Sequence, residues 1–192
     1  QIDGTSQLRH GYSVKLDGNY MFISQYKYSS YRGRVAIYKY QNHSWSLLKY
    51  IYQPDSSSYD YFGWTLSYQN DYLIVSSHYE DTGASNAGSV FIYKKDEGGA
   101  DNWGHIKTLR NPGVDGTIDS NSYFGESIDM DGDYLLVGAN GTYERRGGGV
   151  GINNAGAAFL FKKDEGGTDN WGLIKTIQSQ IIVTYANLYY GH

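Results

Sequence analysis

The sequence predicts an all-β protein built from repeated four-stranded antiparallel sheets. Three observations carry that expectation: an internal repeat, a composition rich in Gly and Tyr, and short apolar runs bounded by turn residues. Of 192 residues, 25 are Gly and 21 are Tyr, with 2 Pro and no Cys. Aromatic and β-branched side chains fit pleated strands, whereas Gly supplies the positive φ that tight turns demand. The length suits one domain with a buried core.

The repeat is legible in four motifs. Tyr61-Phe62-Gly63 returns as Tyr123-Phe124-Gly125, and Asp71-Tyr72-Leu73-Ile74-Val75 returns as Asp133-Tyr134-Leu135-Leu136-Val137, both 62 positions later. Asn86-Ala87-Gly88 and Asp101-Asn102-Trp103-Gly104 return at Asn154 and Asp169, now 68 positions later. The six additional residues fall in a Gly-rich loop between Tyr143 and Ile152. A diverged first copy has His10-Gly11 where Phe-Gly stands later, then Asn19-Tyr20-Met21-Phe22-Ile23, Gly33-Arg34-Val35-Ala36-Ile37-Tyr38 and Trp45.

Each copy contains four strand signals. In the second copy they run from Gly63 to Tyr68, Tyr72 to Ser77, Ser89 to Lys94 and His105 to Arg110. Asn70-Asp71 marks the first turn, and the Gly- and Asp-rich stretch from Asp96 to Asn102 marks the third. The runs Tyr72 to Val75 and Val90 to Tyr93 are continuously apolar, as in strands covered on both faces. Four-stranded sheets repeated radially and packed on their neighbours are β-propeller blades. Three copies of about 60 residues make an incomplete ring, since propellers usually hold four to eight blades. The lack of sustained helical periodicity predicts almost no helix.

The chain from 1 to 192 therefore reads as one propeller segment. Repeat 1 spans about 9–52, repeat 2 about 61–110 and repeat 3 about 123–177, and 178–192 reads as a link opening a fourth repeat. A start at Gln1 suggests a processed or excised segment. These motifs resemble the FG-GAP repeat family, related to the propeller heads of integrin α chains. The resemblance rests on the Phe-Gly pairs, the second strand ending in Gly138-Ala139-Asn140, the Gly-Ser-Val-Phe-Ile-Tyr third strand and the Trp after the third turn. It implies an extracellular or cell-surface module that binds protein partners without catalysis. The first copy departs most, with His10 for Phe and Ser24-Gln25 for Gly-Ala.

Charge and motifs narrow the function classes. A net charge of −4 argues against a broad nucleic-acid footprint, which needs clustered Lys and Arg. No apolar run reaches the roughly 20 residues of a membrane-spanning helix. The five His show no metal-ligand spacing, and no G-x-S-x-G or H-E-x-x-H motif occurs. The expectation is a non-enzyme without a resident cofactor.

Several residues remain as candidate sites. Asp129, Asp131 and Asp133 alternate along a turn as carboxylates around Ca²⁺ can, although a tight hairpin turn uses the same residues. The repeated loops around Asp101 and Asp169 read as turns whose Trp packs between neighbouring blades. Arg145 and Arg146 open a Gly-rich insert of the kind that projects from a propeller rim as a contact surface. Tyr26, Tyr28, Tyr31, Tyr59 and Tyr61 offer flat apolar area and hydroxyls suited to protein or sugar surfaces. Asn42 and Asn140 sit in glycosylation triplets. The leading expectation is adhesion or structural self-assembly through open blade edges. A lectin-like, carbohydrate-binding propeller is the alternative, and a propeller glycosidase stands behind it.

Overall fold

A computed structural model describes residues 8–55, 57–145 and 151–178. The proposed fourth-repeat opening and Arg146 lie outside the described residues.

Three four-stranded antiparallel sheets follow one another along the chain. Blade 1 comprises β1 (Val14–Asp17), β2 (Tyr20–Ser24), β3 (Val35–Gln41) and β4 (Ser44–Ile51). Blade 2 comprises β5 (Leu66–Gln69), β6 (Tyr72–Ser77), β7 (Ser89–Lys94) and β8 (Gly104–Arg110). Blade 3 comprises β9 (Ser127–Asp131), β10 (Tyr134–Ala139), β13 (Ala157–Lys162) and β14 (Gly172–Gln178). Between β10 and β13, the insert forms a small hairpin of β11 (Glu144–Arg145) and β12 (Gly151–Ile152), which the sequence did not announce.

Turn chemistry closes these hairpins. Asn70-Asp71 and Asn42-His43 all take positive φ, the geometry of a two-residue turn that matches strand twist. In every blade the third and fourth strands slip register at the same place: Ile37/Tyr38, Ile92/Tyr93 and Leu160/Phe161. The one helical segment among the described residues, Tyr28–Tyr31, has left-handed φ at Ser29 and Ser30 and is a loop turn. The first strand of blade 2 starts at Leu66, three residues later than expected; Gly63 still donates to the Ser76 carbonyl at 3.0 Å while it closely approaches Ser24 and Arg34 of blade 1.

Burial follows blade order. Every residue of β6 is buried, because blade 2 has a neighbour on each face. In blade 3, β10 alternates from exposed to buried over Tyr134, Leu135, Leu136 and Val137, since only one face has a neighbour. Two cores result. Tyr20, Phe22, Val35 and Ile37 of blade 1 meet Phe62, Leu73, Val75, Phe91 and Trp103 of blade 2. Tyr72, Ile74, Val90 and Ile92 of blade 2 meet Phe124, Leu135, Val137, Phe159 and Trp171 of blade 3. The first strands β1, β5 and β9 lie side by side.

Candidate functional site

Each blade junction is pinned at both ends. At the end where first strands begin, Phe62 and Phe124 insert against the preceding blade and are fully buried. Tyr123 and Phe124 donate backbone N–H bonds to the carbonyls of Asn86 and Ala87 at 3.1 and 3.0 Å. Gly33 and Gly88 let the backbones meet; a Cβ on either would overlap the carbonyl oxygen of Phe62 or Phe124.

At the opposite end, Asp169 accepts from Tyr72 at 2.5 Å and from Lys94 at 2.8 Å. Tyr20 and Lys39 grip Asp101 in the same way. The adjoining Trp103 and Trp171 are 1 % exposed, edge-on to Tyr20 and Tyr72 at 5.3 and 5.6 Å. Burial pushes the Asp169 carboxyl up, but the Lys94 and Tyr72 hydrogen bonds outweigh it and hold the group below the usual carboxylate range. The same bond raises Lys94 to about 12. A carboxylate with a depressed pKa adds stability above its unfolded pKa and loses it as pH falls through the folded one. Asp169→Asn is therefore expected to destabilise at neutral pH, with the gap from wild type closing below about pH 4 in urea unfolding curves.

Blade 3 carries the same socket with nothing in it among the described residues. Tyr134 and Leu136, the counterparts of Tyr72 and Ile74, are 46 % and 42 % exposed. Lys162, the counterpart of Lys94, lies 5.9 Å from the Tyr134 ring centroid. Gly156 matches Gly88 in conformation, with φ of +77° against +84°, but the nearest atom to an added Cβ is 3.5 Å away. A hollow of about 150 Å³ opens among Ile128, Leu136, Gly138 and Ala158, where Phe-Gly enters the other two junctions. Trp45, the first-copy counterpart of Trp103, is 41 % exposed, with no preceding blade among the described residues for it to pack against.

All three blades also converge on an aromatic cleft of about 460 Å³ at the Phe-Gly end. Tyr26, Tyr31, Tyr61, Tyr79 and Tyr123 form walls around Trp64, His78 and Glu126. Trp64 and Glu126 occupy the same position in their repeats, directly after the Gly of Phe-Gly. Tyr26, His78 and Asn140 likewise share one position, just past the second strand. The Trp64 and His78 rings lie 4.1 Å apart, and His78 Nε2 is 3.5 Å from Glu126. Burial pushes His78 down to about 3, so the ring is neutral at physiological pH, and Nδ1 has no hydrogen-bond partner. Burial raises the Glu126 carboxyl, opposed by a hydrogen bond from Trp64.

The anticipated Tyr surface is divided. Tyr26, Tyr31 and Tyr61 line the cleft, and exposed Tyr59 stacks on Tyr31 at 5.4 Å. Tyr28 lies elsewhere, beneath the Arg34 guanidinium at 3.9 Å. Arg145 falls on β11. The structure does not gather Asp129, Asp131 and Asp133 into a cation site: all three are exposed, and no group of three or more such ligands occurs among the described residues. Asp129 and Asp131 remain in β9, paired with Leu136 and Tyr134, while the two-residue turn holds Asp133 outside the ladder. Asn42 is exposed at a hairpin tip; Asn140 is exposed but lines the cleft, where an attached glycan would cover it. No helix of the described residues is long and apolar enough to cross a membrane.

Sequence reasoning missed both the Asp101 and Asp169 latches and the participation of His78, Tyr79, Tyr123, Trp64 and Glu126. The recurrence of Tyr at the second-strand start and Lys at the third-strand end could have revealed the latches.

Radial blades joined in this way define a β-propeller module. The model of the FG-GAP repeat matches residues 45–93 and 116–161, and the chain belongs to the FG-GAP repeat family. Among solved structures, a europium-containing methanol dehydrogenase is similar, at 10% identity with a TM-score of 0.54. The likeness covers 88% of this chain and 24% of that one, and at this identity it shows the fold alone. No curated protein matches the sequence.

Proposed function

We propose that this chain is a non-catalytic assembly module whose third blade docks a further FG-GAP blade bearing a Phe-Gly pair and an Asp-Asn-Trp turn. One observation carries the reading: the blade 3 socket keeps each element that blades 1 and 2 use to hold their successors. Tyr134 and Lys162 await an acid, Gly156 leaves room for a Phe-Gly backbone, and exposed Leu136 offers the apolar face. Blade 1 of a second copy fits poorly, because His10 replaces the Phe and His43 stands where the Asp of Asp-Asn-Trp would be. FG-GAP repeats are typical of extracellular or surface proteins, which supports a role in adhesion or structural assembly outside the cell.

The test appends a copy of residues 124–178 after His192. Stacking couples neighbouring repeats, so the fusion is expected to unfold as one unit and to gain about 2–4 kcal/mol over the parent. Changing the appended counterparts of Phe124 and Asp169 to His and Ala is expected to remove most of that gain. A fusion that unfolds in two independent steps, with the first unchanged, overturns the proposal.

A further inference from the structure

We infer that Tyr31 and Tyr59 form an oxidative modification site, at which a peroxidase-class oxidant with hydrogen peroxide joins the two rings into a dityrosine that ties blade 1 to blade 2. Tyr31 closes the turn between β2 and β3, and Tyr59 lies on the link between β4 and β5. Their rings stack with centroids 5.4 Å apart and 20° between the planes. Backbone bonds hold the two segments side by side: Tyr59 donates to the Ser30 carbonyl at 3.1 Å, and Tyr61 to the Tyr31 carbonyl at 2.9 Å. Tyr31 and Tyr59 both take left-handed φ, of 62° and 72°. Such strain persists only where surrounding bonds over-determine the backbone, and here it keeps the two rings together. Partners already in contact react far faster than partners that must meet by diffusion.

Three features bring an oxidising equivalent to this pair. The chain has 21 Tyr and no Cys, so no thiol is available as the first sink. Tyr59 also ends an unbroken run of ring contacts: Tyr12 lies 4.6 Å from Tyr26, Tyr26 lies 5.6 Å from Tyr61, and Tyr61 lies 5.1 Å from Tyr31. Rings in contact exchange an electron readily, so a vacancy made on one passes along the run. It comes to rest where a phenol can shed its proton. Burial raises the Tyr61 phenol above its usual range, so that ring keeps its proton. Tyr59 is 59 % exposed and hands its proton to water. The competing pairs are less suited. Exposed Tyr12 meets Tyr26 edge-on, and Tyr26 is buried. Tyr28 and Tyr52 lie 6.0 Å apart with planes tilted by 55°, and the Arg34 guanidinium covers Tyr28 at 3.9 Å.

In the coupling, each phenol gives up one electron and its proton. The two radicals join through ring carbons ortho to the oxygens. The hydrogens on those carbons move to the oxygens, which restores both aromatic rings. One hydrogen peroxide takes up the two electrons and two protons and leaves as two waters. The new bond closes a loop around β3 and β4, and a cross-link of that kind stabilises by restricting the unfolded chain.

The test treats the full chain with a plant peroxidase and limiting hydrogen peroxide. Dityrosine emission is read on the monomer after size separation, and peptide mapping by mass spectrometry locates the bond. The expected product is a monomer with Tyr31 joined to Tyr59, unfolding at higher urea than the untreated chain. Tyr59→Phe keeps the ring and removes the phenol. It is expected to lose most of the monomer emission while its urea midpoint before oxidation stays in place. Tyr52→Phe is expected to keep the wild-type yield. Bonds mapped mainly to other tyrosines, emission confined to dimers, no emission at all, or equal monomer yield from Tyr59→Phe and wild type each overturns the inference. None of these outcomes bears on blade docking, which uses the outer face of blade 3.

Discussion

Trp103→Ala is expected to destabilise the protein by about 3–5 kcal/mol, among the largest effects of any single substitution. The indole is 1 % exposed and packs edge-on against Tyr20 and Phe22 of the preceding blade, at 5.3 and 5.1 Å. Truncation removes that area and leaves a cavity between two stacked sheets, which cannot close without moving a blade. It also loosens the turn that presents Asp101 to Tyr20 and Lys39. The internal comparison is Trp45→Ala. Trp45 holds the same repeat position but is 41 % exposed, so the cost is expected to stay below about 1 kcal/mol. Urea denaturation of the two variants reads the difference. Equal losses would mean that position in the array, and with it the blade junction, has no energetic meaning.

The second large effect is expected at Gly88. Gly88→Ala places a methyl group onto the Phe124 carbonyl in a residue with φ of +84°. Left-handed strain costs about 1–3 kcal/mol for an ordinary residue, and forcing the backbones apart adds a comparable amount. Gly156→Ala shares the strain, at φ of +77°, but finds its nearest neighbour at 3.5 Å. The excess loss in Gly88→Ala, expected to exceed about 1 kcal/mol in thermal or urea unfolding, isolates the blade-to-blade contact.

Much of the fold can be read from the chain because each strand and turn is specified locally. Asn70-Asp71 and Asn42-His43 announce their hairpins, and the continuous apolar runs of β6 and β7 announce a sheet covered twice. The cleft escapes such reading for a physical reason. Trp64 and Glu126 occupy one repeat position but share no chemistry, so the sequence shows variation where the structure shows convergence. His78 likewise has no motif; its neutrality arises from burial against Trp64, Tyr79 and Tyr61. The latches were hidden by their innocence as turns. Asp101 and Asp169 do shape their own loops, accepting no metal-like company, but their carboxylates point at the preceding blade's Tyr and Lys. The Asp129, Asp131 and Asp133 pattern does not converge, because Asp129 and Asp131 stand in a row along β9 and Asp133 lies in the turn beyond it.

Local structure, packing and proposed role thus share one dependence: each sheet is stable to the extent that another sheet covers it. Native-state hydrogen exchange on the equivalent strands β6 and β10 measures that dependence directly. The two have matching backbone ladders, so ladder bonding alone would protect them alike. The account predicts slower exchange in β6, covered on both faces, than in β10, where Tyr134 and Leu136 face outward. Equal protection in the two strands would contradict it.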